Sequence, residues 1–118
     1  GWNRPTKESD WSGTTLHGGK LPVGEWVHIA LVLNGTDTIQ NNAINLYLDG
    51  VRLDSGPGSK LWRQNDENGL GQVHKSTVYK GRQVRQLMPL AGSIDDFAIF
   101  DAAFTDVDIE SFVHSSYE

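Results

Sequence analysis

The sequence has 118 residues, 37% of them hydrophobic, with 15 acidic side chains against 10 Lys and Arg and a formal charge of -5. That length suits one small domain with a modest core, and an acidic chain without a basic run is unsuited to tracking a phosphate backbone, so nucleic acid is not an expected partner. No apolar stretch reaches the ~18 residues a membrane span needs, and the absence of Cys excludes disulfides, thiolate metal sites and Cys nucleophiles while leaving the redox compartment open.

No signal peptide is expected, and Gly1 in place of Met points to a processed or excised chain. Residues 1–25 mix Gly, Pro, Ser, Thr and charge, which predicts a loop-like lead-in with at most a short strand near Thr14 to His17. "EWVHIALVLNG" follows, and its β-branched and aromatic residues predict a strand from Trp26 to Asn34, apolar on both faces and so buried on both sides. Residues 35–43 read as a polar loop.

"INLYLDGVRL" then alternates: Ile44, Leu46 and Leu48 point one way as a dry face, Asn45 and Tyr47 the other as a wet or contact face. Asp49-Gly50 tolerates the positive φ that a two-residue type I′ turn requires, which predicts a hairpin. From Asp54 to Asn68 the composition is that of a long surface loop carrying one isolated Trp62, and such loops are often binding loops. Weaker strands are expected at Gly69 to Val73 and Ser76 to Tyr79, and a strong one at Ser93 to Phe100. Thr105 with Asp108 three residues on is a variant capping box, and Ile109, Phe112 and Val113 recur at helical spacing, so one short helix closes the chain. Trp26, Phe97, Ile99 and Phe112 are assigned to the core.

Three blocks, "GEWVHIALVLNG", "INLYLDGVRL" and "LAGSIDDFAIFDAAFTDVDI", follow one another in the order and approximate spacing of laminin-G-like domains of the concanavalin A-like lectin/glucanase superfamily. The resemblance spans about residues 24 to 113 and implies an all-β jelly-roll sandwich of two antiparallel sheets with one short C-terminal helix. Residues 1–118 then form a single domain, with 1–25 as lead-in and 26–118 as the matched core. Such sandwiches usually need more residues. The chain therefore looks like the C-terminal two-thirds of the domain or a natural short variant, and missing strands would leave sheet edges open to another chain or segment.

The resemblance bears on chemistry as well. The glucanase branch uses a strand of the form Glu-x-Asp-x-x-Glu, and no such spacing occurs here, while Asp95 and Asp96 point to opposite faces of any strand and cannot share a substrate atom. The chain is therefore not expected to be an enzyme. The resemblance also implies a structural calcium in some members, held partly by the residue at Asp95, although a plain surface Asp bonding a neighbouring loop is the alternative. No cofactor is required. His28 falls at a position that packs inside the sandwich in the family, and His17, His74 and His114 are scattered, so zinc is not expected.

Trp2, Trp11, Trp62 and Tyr79 stand in polar or Gly-rich surroundings where core residues are not expected. Sugar rings stack apolar CH faces on aromatic planes while amides and charged groups bond the hydroxyls, and Trp62 with Arg63, Gln64, Asn65 and Asp66 has that composition. The alternative is that these rings fold back over gaps in a small core. "NGT" at Asn34 to Thr36 fits a glycosylation acceptor and an ordinary turn equally well. Three functions remain: a noncatalytic, lectin-like carbohydrate-binding module of a larger secreted or cell-surface protein, a protein-binding or adhesion module using its sheet edges, and an architectural spacer. Exposed aromatics lining a groove would favour the first, a flat apolar patch or open strand edge the second, and neither the third.

Overall fold

The computed structural model describes residues 14–61, 69–72, 78–79, 82–83 and 89–117. Three strands, β1 (Ile29–Leu33), β2 (Gln40–Leu48) and β3 (Val51–Gly58), form an antiparallel sheet in chain order. The turn between β2 and β3 is the one Asp49-Gly50 predicts, with φ of 48° and 85°, both left-handed. Asp49 also ties this turn to the start of β1. Its carboxylate accepts the His28 backbone N–H at 2.9 Å, and its own N–H donates to the His28 carbonyl at 2.8 Å.

Two irregularities interrupt the β2–β3 ladder, one between Gln40 and Ile44 and one between Leu46 and Tyr47. At the first, Asn42 takes a left-handed φ of 59°, and the Asn45 amide donates to the Asn42 carbonyl at 3.0 Å. At the second, β3 carries one residue too many, so that Leu46 faces Asp54 while Tyr47 faces Arg52.

The two faces of this sheet differ. Ala30, Val32 and Tyr47 pack under helix α1 (Asp106–Tyr117), with Phe104 and Ile109 completing a small core. The rings of His28 and Phe112 meet at 5.7 Å, and Gly50 lies against the helix backbone at Glu110, where an added Cβ would stand 3.4 Å from its Cα. The opposite face carries Ile29, Leu31, Leu46 and Leu48. Residues 14–18 cover its β3 side, and a Cβ on Gly56 would meet Thr14 and Leu16 while one on Gly18 would meet Leu53. The β1 side is open, with Ile29 54% and Leu31 51% exposed.

Helix α1 begins as its capping sequence predicts. Asp108 N–H donates to the Thr105 hydroxyl, and the Asp108 carboxylate accepts both the Thr105 N–H and its hydroxyl at 2.8 Å. Those bonds satisfy donors that the first helical turn leaves orphaned.

The chain divides into two compact units, residues 1–62 with 102–118, and residues 63–101. In the second unit β4 (Val78–Tyr79) pairs with β5 (Arg82–Gln83), and the Leu90 N–H donates to the Gly71 carbonyl.

Several sequence expectations are corrected. The strand from Trp26 is shorter, covering Ile29–Leu33. Strand β2 begins at Gln40, inside the expected polar loop, and β3 runs on to Gly58 because the β2 backbone offers it a ladder partner. Thr14 to His17 is not a strand, although the Thr14 hydroxyl donates to the Pro57 carbonyl and the His17 N–H to Asp54. Gly69–Gln72 is not a strand but bends, with Gly71 at φ 86°, and Val73 lies outside the described residues. No strand forms over Ser93 to Phe100: Asp96 takes φ 52° and breaks the extended run. The core assignments fail with it, since Trp26 is 69%, Phe97 66%, Ile99 84% and Phe112 37% exposed. An extended apolar segment buries nothing unless a second layer or a neighbouring strand meets it. The two antiparallel sheets of a sandwich are thus represented, among the described residues of the first unit, by one sheet with a helix on one face.

Candidate functional site

A cavity of ≈ 380 Å³ opens where β1, β2 and β3 meet the N-terminus of α1. Its floor includes Val32 and Phe104, and Asn34, Asn45, Tyr47, Arg52 and Asp106 supply polar groups. Each is placed by an element already described. Asn34 directly follows β1, where its N–H donates to the Ala43 carbonyl at 2.7 Å. Tyr47 and Arg52 face each other across the hairpin, and Asp106 is the first residue of α1, directly after the Thr105 cap.

The polar groups are linked. The Tyr47 hydroxyl donates to Asp106 Oδ1 at 2.5 Å, and Arg52 approaches Asp106 Oδ2 at 3.4 Å with both side chains about half exposed. Burial of the Tyr47 ring pushes its hydroxyl up to about 12, helped by the bond to Asp106 and that group's charge, with Arg52 acting against them. Tyr47 is therefore a fixed hydrogen-bond donor at neutral pH and no base. The Asn45 carbonyl accepts from the Ser55 hydroxyl at 2.7 Å, so its amide is held in one orientation. The lining thus combines the paired Arg52 and Asp106 and the Asn34 amide with the apolar Val32 and Phe104. Groups of these kinds can donate to and accept from hydroxyls and amides.

The sequence places Asn45 and Tyr47 on a wet or contact face; in the structure Tyr47 is 2% exposed, packed with Ile109 of α1, and Asn45 is 8% exposed, bonded to Asn42 and Ser55. Both line the cavity. The site residues named from the sequence are not among the described side chains that line this cavity. Trp2, Trp11, Trp62, Arg63, Gln64, Asn65 and Asp66 lie outside the described residues, and of Tyr79 only the backbone is described, in β4 opposite Arg82. Asp95 is exposed, and its carboxylate accepts the Asp96 N–H at 2.8 Å, stabilising the left-handed turn there. Among the described residues no three His, Asp or Glu side chains converge as metal ligands. His28 is half-buried beneath α1, on the helix side of the sheet.

Arg52 and Asp106 escape the sequence reading in different ways. Arg52 was legible, since a two-residue turn at Asp49-Gly50 puts residue 52 opposite 47. Asp106 was not, because the contact spans 59 residues and no local pattern encodes it.

A second surface is the open side of the other sheet face, where Ile29, Leu46, Leu48 and Leu53 line a small groove with Leu21. Ile29, Leu31 and Val51 are each more than half exposed.

A family model described as the concanavalin A-like lectin/glucanases superfamily, of laminin-G type, matches residues 2–110. The crystal structure of an S-layer domain-containing protein (residues 221–444) from Clostridium thermocellum is similar, at 25% sequence identity and a TM-score of 0.52. The match covers 81% of this chain and 42% of that one, so the chain spans less than half the length of that structure. No curated protein shows a significant match.

Proposed function

Because the chain belongs to the concanavalin A-like lectin/glucanase superfamily, we propose that it is a noncatalytic carbohydrate-binding module of a cell-surface protein. The observation that carries this reading is the cavity beside Tyr47, where amide, guanidinium and carboxylate groups ring an apolar floor. That combination suits a pyranose, whose hydroxyls need directional partners and whose CH faces need a dry surface. The similarity to an S-layer domain-containing protein supports a cell-surface setting. A noncatalytic role agrees with the locked Tyr47–Asp106 bond, which leaves the cavity wall a neutral ion pair and no poised acid and base.

The test is a screen of the folded chain against neutral and acidic polysaccharides, with calcium and with chelator, alongside two variants. Ala103 is exposed at the cavity wall, so Ala103→Trp fills the cavity and is expected to abolish binding with the melting temperature unchanged. Loss on Trp62→Ala with Ala103→Trp unaffected would move the site to the Trp62 loop, and a chelator effect would implicate Asp95. Absence of binding to every glycan would overturn the reading.

One observation favours a second reading. Ile29, Leu31 and Val51 on the face away from α1 are each more than half exposed, and exposed apolar side chains on one sheet face suit a protein contact. Assembly or adhesion through that face is the function to which glycan-negative results would point.

A further inference from the structure

We infer that the cavity beside Tyr47 selects uncharged saccharide units over uronate, sulfated or phosphorylated ones. This inference rests on the carbohydrate-binding reading and specifies the ligand class. Among the described residues lining the cavity, the charge is carried by Arg52 and Asp106, and these two are paired with each other at 3.4 Å. The second oxygen of the carboxylate is taken by the Tyr47 hydroxyl. An anionic group seeking Arg52 must therefore come within a few ångströms of Asp106 or displace it, and displacement strips Tyr47, buried and unable to ionise near neutrality, of its acceptor.

The end of α1 that borders the cavity offers an anion no compensation. Its first turn already carries Asp106 and Asp108, so the positive end of the helix dipole is answered by two carboxylates. Asp108 is held ionised, because the Thr105 N–H and then the Thr105 hydroxyl bond its carboxylate and lower its pKa. The chain as a whole, at -5, repels an acidic polymer at a distance. A neutral hydroxyl meets none of these obstacles. It accepts from Arg52 N–H groups not directed at Asp106, donates to the free side of the carboxylate, and leaves the pair intact. With ≈ 380 Å³, at the small end of the roughly 300–1,000 Å³ of ligand sites, the cavity takes a short piece of a chain.

The experiment is a calorimetric titration of the whole chain with a neutral gluco-oligosaccharide and with its uronate-containing counterpart of equal length, at low and at high salt. The neutral sugar is expected to bind at least tenfold more tightly at low salt, with the gap narrowing as salt screens the repulsion. Asp106→Asn, checked for folding by circular dichroism, is expected to narrow the gap by freeing Arg52 for the uronate. Arg52→Gln, which leaves α1 and its cap untouched, is expected to widen it. Equal or tighter binding of the uronate at low salt would overturn the inference while leaving the carbohydrate-binding reading in place. Failure of both sugars, and of the wider panel, to bind the folded chain would overturn the two together.

Discussion

Tyr47 carries three duties: ring in the core, hydroxyl on Asp106 and wall of the cavity. Removing the hydroxyl in Tyr47→Phe is expected to cost about 1 kcal/mol, the net worth of one hydrogen bond, as measured by urea denaturation at neutral pH. The same residue sets an alkaline limit. Its folded pKa of about 12 exceeds the ordinary 10.0, so the unfolded chain loses this proton first. Its contribution is complete below pH 10 and falls on the order of 2 to 3 kcal/mol as pH rises toward 12. Tyr47→Phe should lack that decline. Asp54 works in the opposite direction, since the backbone N–H groups of His17 and then Ser55 lower its pKa, and Asp108 behaves likewise. Their contribution is present above the ordinary carboxylate range and lost on acidification through and below it, so a pH series of melting temperatures should fall at both ends.

At the scale of elements, the features that form are those whose instructions are local. Asp49-Gly50 requires left-handed φ and obtains it, and the Thr105 cap closes on Asp108 as spacing alone suggests. Thr105→Ala is expected to cost about 1 kcal/mol and to fray the first turn of α1, visible as reduced helical circular dichroism. Because that turn positions Asp106, ligand affinity should fall with it. The segment Ser93 to Phe100 shows the limit of local reading. Its β-branched and aromatic composition fits a strand, but strand propensity expresses a fit to neighbours on a pleated surface. Here Asp96 turns left-handed and Phe97 and Ile99 stay exposed. The Tyr47–Arg52–Asp106 arrangement divides the same way, with the pair across the turn readable from register and the third member brought in by tertiary packing alone.

At the scale of the molecule, helix α1 covers one face of the sheet and the other face is half covered. Burial of Ile44 at 2% exposure predicts that Ile44→Ala costs about 2 to 4 kcal/mol. Leu31, 51% exposed on the same sheet, predicts a different outcome. Leu31→Lys should change stability little while reducing binding of a hydrophobic dye and any concentration-dependent association seen by sedimentation. If Leu31→Lys unfolds the chain instead, a covering layer already lies over that residue in solution. The family match over residues 2–110 shows that the sequence blocks identified the superfamily correctly. The blocks do not specify a full sandwich, because each carries local strand, turn or helix signals and none encodes a second layer over Ile29 and Leu31.

The bond between Tyr47 and Asp106 also orders events in time. The hairpin joins residues through a two-residue turn and can form in about 1–10 μs, whereas Tyr47 must wait for a partner 59 positions away. A helix as short as α1, 12 residues, is marginal by itself and gains its permanence on landing against the sheet. The cavity therefore comes into existence with that landing, as the closing step of the longest loop in its wall. The nascent hairpin lacks Phe104 and Asp106, so a ligand of the complete cavity should slow the departure of the C-terminal helix and leave the rate at which the hairpin assembles untouched.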